Sequence, residues 1–270
     1  SITLFATLMI ACTTESAILS ILCFAFTQIV SGWVGHSMAH NRHPLFMKYG
    51  RIIPALTGGY SLEWWSPKHN MHHIFTNSKL YDDDIKHDYK VYLFEFLYLK
   101  WRFDSLIEAI KRLNYVKNIV ILVKLAFISI NYAIIFYNYQ NLVYFVLGNL
   151  LGGFYSAFVL IGNHEKEHKY HEQIKHTFID HQIITCRNYE HTNFFWLILM
   201  GGMQFQTEHH LFPQIPFYRL PDSVPIIKDE LAKLGKSLIY GPASENHGHY
   251  LISYLFLLII LELNENIDCY

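Results

Sequence analysis

Charge is what this chain has least of. Asp, Glu, Lys and Arg make up 16% of its 270 residues, against about 25% in an average soluble protein. The two signs nearly cancel, leaving a net charge of −1. There is no basic surplus to hold nucleic acid and no acidic tail. Cysteine is also scarce. Cys12, Cys23, Cys186 and Cys269 are scattered and form no CxxC pair. That argues against a disulfide scaffold and a thiolate zinc site, and it suits a reducing face such as the cytosol. No repeat, low-complexity tract or Pro/Ser linker divides the chain. It opens on Ser1 rather than Met, which reads as a fragment or a processed form. Ile2 to Val30 is too long and too interrupted for a simple signal peptide, and no charged segment precedes it. What is abundant is apolar: 52% hydrophobic residues, with 19 Tyr and 20 Phe. Such a composition belongs to a membrane protein or to one unusually large core. The 17 histidines are the other surplus, and they cluster.

Spanning a bilayer takes roughly 20 apolar residues. Ile2 to Ala11 reads as a truncated first span, residues 13–16 as a polar turn, and Ala17 to Val34 as a second span leading into His36. Residues 52–62 are apolar but short and contain Pro54, Gly58 and Gly59, as in an interfacial or re-entrant piece. Asn118 to Tyr137 and Leu142 to Ile161 read as two further spans around an NYQN turn. Lys100, Arg102, Lys111, Arg112 and Lys117 place residues 99–117 on the cytosolic side. The expected fold is therefore all-α, an integral membrane protein with about four transmembrane helices and a cytosolic helical cap. Residues 1–249 form the domain, with 194–203 available to lie along the membrane surface. Residues 250–270 form an apolar tail too short for a comfortable span.

Three histidine boxes carry the chemistry: His36-Ser-Met-Ala-His40, His69-Asn-Met-His72-His73 and Gln206-Thr-Glu-His209-His210. Residues three and four apart share one face of a helix. Each box therefore presents two or three imidazoles in one direction, and the third adds an amide. One box alone is weak evidence, since surface and capping histidines are common. Three on one expected membrane face point to a metal site. Imidazole suits Zn, Cu, Fe and Ni, so ligand type leaves the metal open. The zinc peptidase motif HExxH fails because Ser37 follows His36, and HxxEH fails because Phe205 stands where a histidine is needed. Carboxylate di-iron bundles need paired ExxH motifs, and only Glu165 and His168 have that spacing.

With their flanks, the boxes resemble the front-end branch of the membrane histidine-box fatty acid desaturases. Gln28-Ile-Val-Ser-Gly-Trp33-Val-Gly-His36 is similar to the approach to the first box. Trp64-Trp65-Ser-Pro-Lys68-His69, followed by Thr76-Asn77 and Asp82-Asp-Asp84-Ile85, is similar to the second box and its loop. Gly201-Gly202-Met-Gln-Phe-Gln206-Thr-Glu208-His209-His210-Leu-Phe-Pro213 is similar to the third, and Gln182-Ile-Ile-Thr185-Cys-Arg187-Asn188 also fits. The opening Gln206 is the mark of the front-end branch. The likeness runs from about residue 28 to about residue 242.

The resemblance implies two non-haem iron ions. Their ligands would be His36, His40, His69, His72, His73, His209 and His210, with Gln206 at or beside the metal and His164 as a further ligand. Asn70 and Asn163 would orient ligands, and Trp64 and Trp65 would wall a substrate tunnel or anchor the interface. His43, His168, His171, His176, His181 and His191 read as solvated or structural. The implied reaction is O2-dependent insertion of a cis double bond into a fatty acyl chain, as acyl-CoA or acyl-lipid, on the carboxyl side of an existing double bond. A lipid hydroxylase, a sphingoid-base desaturase and a catalytically silent homologue are the alternatives. The expected place is the endoplasmic reticulum membrane, with the active site facing the cytosol. Three features depart from the family pattern. Ser37 stands where an Asp is usual, the loop reads DDDI rather than DPDI, and no HPGG haem motif occurs. Electrons are then expected from a separate cytochrome b5, unless an N-terminal cytochrome b5 domain has been lost by truncation.

Overall fold

A computed structural model describes residues 2–41, 43–44, 52–82, 84, 102–112, 119–164, 167, 169–170, 176–190 and 193–241. The tail at 250–270, His168, His171, His191 and Lys117 lie outside them. The chain opens with α1 (Ile2–Thr13) and α2 (Ala17–His40). The polar turn between them starts α2: Ser16 caps it, its side chain accepting from the Leu19 amide. Then come α3 (Ile52–Thr57), α4 (Ser66–Phe75) and α5 (residues 102–112). The long apolar helices α6 (Ile119–Phe136) and α7 (Tyr139–Gly162) follow. The last part holds α8 (Phe178–Thr185), α9 (Phe194–Met200), α10 (Gln206–Leu211) and α11 (Leu220–Lys233). Two short strands, β1 (Asn188–Tyr189) and β2 (Tyr240–Gly241), pair in parallel and tie the end of the described chain back to the α8–α9 connection.

The architecture is helical, as composition and spacing anticipated. By length and apolarity, α2 is the one described helix able to cross a bilayer by itself. α6 and α7 qualify only as a pair, bent by 113° at a short break. The expected NYQN hairpin is thus an open elbow rather than an antiparallel turn. α1, with 12 residues, is about 18 Å long and falls short of a span.

α2 is the central post, packed chiefly against α7 and α1. Gly148 and Gly152, one turn apart on α7, permit the close approach. A Cβ on Gly148 would meet Phe24 Cβ at 2.5 Å, and one on Gly152 would meet the Ala25 carbonyl at 3.1 Å. Small residues at this spacing bring apolar helices together through packing alone. Below that contact Phe24, Phe145, Leu8, Ala11 and Ile135 form one apolar cluster. Above it Ile29, Trp33, Val159, Tyr189, Met200 and Met203 form another, joining the long helices to the histidine-bearing layer.

One cation is misplaced by the charge reading. Arg102 is not on the cytosolic surface; it is buried against Gln28 of α2 and Asn149 of α7. Lys111 and Arg112 do lie toward the outside of α5, and Arg112 pairs with Glu108 at 2.9 Å. The described cysteines, Cys12, Cys23 and Cys186, are free thiols.

Candidate metal centre

The last turns of α2 carry His36 and His40 on one side of the helix. α4 starts with a proline in its first turn, where a missing N–H is harmless, and presents His69, His72 and His73. α10 is only six residues long but wholly buried apart from Leu211. It is reached through Gly201 and Gly202, both at positive φ (58° and 82°). A side chain at Gly201 would collide with the Trp33 ring. Asn188 then fixes α10: its Oδ1 accepts from the Thr207 amide at 2.8 Å, and its Nδ2 donates to Glu208 Oε2 at 2.6 Å. His164 stands just past the end of α7.

The eight histidines converge into two groups. His36, His40, His69, His73 and His209 form one; His72, His164 and His210 form the other. Within each, the candidate ligand atoms lie within 4.8 Å of one another, and every ring is buried. Two adjacent pairs, His72–His73 and His209–His210, each straddle both groups. On a helix, neighbouring side chains diverge by about 100°, so an HH dipeptide can serve two centres at once.

Three observations test whether the residues fit metal. The first is spacing: His36 Nε2 and His69 Nε2 are 2.9 Å apart, and His73 Nε2 and His69 Nε2 are 3.2 Å apart. Nitrogens about 2.1 Å from a shared metal ion, at right angles, are about 3 Å from each other. The second is orphaned atoms: His209 Nε2 and His210 Nε2 are buried and have no hydrogen-bond partner. The third is protonation, because a ligand imidazole must be neutral. Burial first, and the neighbouring histidines second, hold His69, His73, His209 and His210 well below the ordinary histidine value. Burial and then His72 push His164 down to about 3. His72 is the exception. Burial pulls it down, but the Asp82 carboxylate outweighs that and its net direction is upward. The donor set fits a pair of metal ions.

In His69, His72, His164 and His210 the opposite ring nitrogen is held by a protein group, a recurrent arrangement for metal-bound histidine. His72 Nδ1 lies 2.9 Å from Asp82 Oδ2, and His69 Nδ1 lies 2.8 Å from Asp84 Oδ2. The Asn77 amide donates to Asp82 at 2.8 Å, and Lys68 pairs with Asp84 at 2.9 Å. His164 Nδ1 donates to the Thr185 carbonyl at 2.8 Å. His210 Nδ1 donates to Gln182 Oε1 at 2.9 Å, and Gln182 Nε2 donates to the His73 carbonyl at 2.8 Å.

Every expected ligand histidine falls in one of the two groups. Gln206 stands beside the second: its Nε2 is 2.8 Å from His164 Nε2, and its Oε1 accepts from Asn163 at 3.1 Å. Asn163 therefore positions Gln206. Asn70 does not fill the orienting role expected of it, because it is exposed on the far side of α4. His43 and His176 are exposed, and His181 is buried beside Tyr170 with ring centroids 5.2 Å apart. Ser37 is half-buried. Asp82, Asp84 and Gln182 were not singled out as orienting residues. The DDDI loop was the available signal, and its departure falls on Asp83, between the two carboxylates that hold histidines.

A cavity of about 130 Å³ adjoins both groups. It reaches His36 and His69 of the first, and His72, His164 and Gln206 beside the second. Trp33, Leu62, Trp64, Trp65 and Leu160 supply much of its wall. Trp65 also stacks on the His69 ring, centroids 4.1 Å apart and planes at 18°.

A family model described as fatty acid desaturase matches residues 15–242. Among named relatives, the Delta(5) fatty acid desaturase fat-4 of Caenorhabditis elegans is 26% identical over 252 residues, covering 76% of this chain and 55% of the relative. An acyl-lipid 8-desaturase of Rebecca salina is 26% identical over 254 residues, covering 79% and 57%. A Delta 8-(E)-sphingolipid desaturase of Lachancea kluyveri is 26% identical over 269 residues, covering 78% and 46%. The chain thus spans about half the length of the relatives it matches. No solved structure matches it. With eight histidines gathered into two buried groups beside an apolar cavity, and a family match across most of its length, the chain belongs to the fatty acid desaturase family.

Proposed function

We propose that this chain is an O2-dependent acyl desaturase with a di-iron centre. It inserts a cis double bond into a fatty acyl chain, as acyl-CoA or acyl-lipid, on the carboxyl side of an existing double bond. The observation that carries this reading is the pair of buried histidine groups opening on one apolar cavity. An alkyl C–H is not acidic, so acid–base groups cannot remove it; bound iron with O2 supplies the oxidising power for that step.

The rest falls to the chain's own residues. His36, His40, His69, His73 and His209 hold one ion, and His72, His164 and His210 hold the other, with Gln206 beside it. Asp82, Asp84, Gln182 and the Thr185 carbonyl fix the ring orientations from behind. Trp64, Trp65, Leu62 and Leu160 exclude water and hold an alkyl chain against His36 and His72. In the membrane, α1, α2, α6 and α7 are the four elements that enter the bilayer, and the histidines lie at its cytosolic surface. Electrons arrive there from a separate cytochrome b5, and the membrane is that of the endoplasmic reticulum.

A sphingoid-base desaturase is the second reading, favoured by the match to a Delta 8-(E)-sphingolipid desaturase. One experiment separates the two. The chain is expressed in a host fed defined fatty acids, and the fatty acids and sphingoid bases are analysed by mass spectrometry, with His72→Ala as control. New unsaturation in the fed acyl chains, absent with His72→Ala, is the expected result. New unsaturation confined to the sphingoid bases selects the second reading. Full activity in His72→Ala would overturn both.

A further inference from the structure

The cavity beside the histidines ends, on its far side, against polar groups that the metal chemistry does not use. Arg102 and Gln28 line that end and are 6% and 2% exposed. Arg102 Nε donates to Asn149 Oδ1 at 2.9 Å, one terminal nitrogen donates to the Gly58 carbonyl, and the other to Gln28 Oε1. All three acceptors are neutral. A guanidinium has five N–H donors. Three are used here, leaving one on each terminal nitrogen. Gln28 also buries its Nε2 without a hydrogen-bond partner. Buried donors of this kind are satisfied by water while the site is free, and an alkyl chain offers them no acceptor.

The distance from this corner to the metal centre follows from α2. Gln28, Gly32 and His36 are four residues apart and all line the cavity, so it runs along one face of the helix. Eight residues of helix separate Gln28 from His36 by about 12 Å. Arg102 therefore sits near the mid-height of α2 and α7, well below the histidines. A coenzyme A or glycerolipid head is too large and too polar to reach that depth. A substrate of the class proposed above thus points its methyl end toward Arg102, and the stretch between the histidines and Arg102 holds the part of the chain beyond the reacting carbons.

We propose that Arg102 and Gln28 form a polar floor that sets how long the methyl side of the acyl chain can be. The floor acts through hydration rather than bulk. Each further methylene buried in the tunnel improves binding by about fourfold. Each N–H stripped of water and left unpaired weakens it by roughly five- to a hundredfold. The two spare guanidinium donors alone therefore outweigh one or two added methylenes, so chains that stop short of the floor are favoured over chains that reach it. The floor rests on the reading of this cavity as the acyl tunnel of a desaturase.

A feeding series tests the floor. A host expressing the full chain receives monounsaturated fatty acids that share one carboxyl half, up to and including the double bond, and whose methyl side lengthens step by step. Conversion of each is measured as product over precursor by lipid mass analysis. In the unaltered chain it should drop about tenfold or more past one length. Arg102→Met, apolar and of similar reach, should raise the ratio of long-chain to short-chain conversion by about tenfold. A second arm needs no variant. A rejected long chain is fed again with a methoxy tip in place of its last carbons, at equal length. The ether oxygen accepts from Arg102, so the tipped chain should be converted about tenfold better than its all-carbon twin. Conversion indifferent to length overturns the floor. So does a cut-off kept in Arg102→Met, or equal rejection of the two twins, since either marks a steric stop. All three results leave the desaturase standing, whereas product from none of the chains overturns the desaturase and the floor together. If Arg102→Met converts no chain at all, the methoxy arm decides.

Discussion

At the residue scale, four of the clustered histidines, His69, His72, His164 and His210, have their outer ring nitrogen held by a protein group. Asp84 holds His69, and Asp82 holds His72. Loss of such an outer partner typically weakens metal binding by about 10–100-fold. Asp84→Asn should therefore raise the dissociation constant for iron by about that factor, measured by competition with a chelator. Protonation gives a second expectation. His164 has its folded-state value pushed down to about 3 from an ordinary 6.5, chiefly by burial. Between those values the unfolded chain binds more protons, so stability rises with pH. For the metal-free protein the melting temperature should fall as pH drops below 6.5, and His69, His73, His209 and His210 should add to the slope. A melting temperature flat from pH 7 to pH 5 would mean that these rings are not buried and neutral.

The residue scale also shows what spacing could and could not reveal. HxxxH, HxxHH and QxxHH pick out the histidines that converge, because helical periodicity turns each box toward one side. They do not reveal that His72 and His73 serve different groups, since that depends on where the facing helices stand. Asp82 and Asp84 lie in a loop, which has no periodicity from which to read the direction of a side chain. Arg102 looked like one more cytosolic cation. A charge count over a window carries no information on burial, which here comes from Gln28 and Asn149 on two distant helices.

At the scale of elements, α10 is placed by Gly201 and α2 is packed by Gly148. Gly201→Ala puts a Cβ at φ 58° against the Trp33 ring. The left-handed conformation alone costs about 1–2 kcal/mol, and moving Trp33 shifts α10 with it. Metal content should fall more than thermal stability does, because His209 and His210 ride on that helix. Gly148→Leu should act the other way. Overpacking the α2–α7 contact costs about 1–3 kcal/mol or more, so the solubilised protein should melt earlier while its histidines keep their chemistry. Of the elements themselves, the polar turn after α1 and the entry of α2 into the first box were legible as an interruption in an apolar run. The elbow between α6 and α7 was not. An apolar–polar–apolar pattern marks a break but not its angle, and the 113° bend is set by packing on α2 and α3.

At the scale of the molecule, one helix post, α2, links everything described. Its lower half carries the packing contacts with α1 and α7, its middle carries Gln28 beside Arg102, and its top carries His36 and His40. The cavity follows that post from the arginine to the histidines. A cut at the top of α2 should therefore empty the first group and leave the lower packing intact. His36→Ala with His40→Ala should lose the ion held there, with little change in helical content by circular dichroism.

Iron content most directly tests whether these histidines make two metal sites. The full-length chain is purified in detergent, loaded with Fe(II) without oxygen, freed of unbound iron and counted by plasma mass spectrometry against protein concentration. Two ions per chain is the expected result, falling to one when His72, His164 and His210 are all replaced by alanine. One ion or none in the unaltered chain would contradict it, as would two ions in the triple variant.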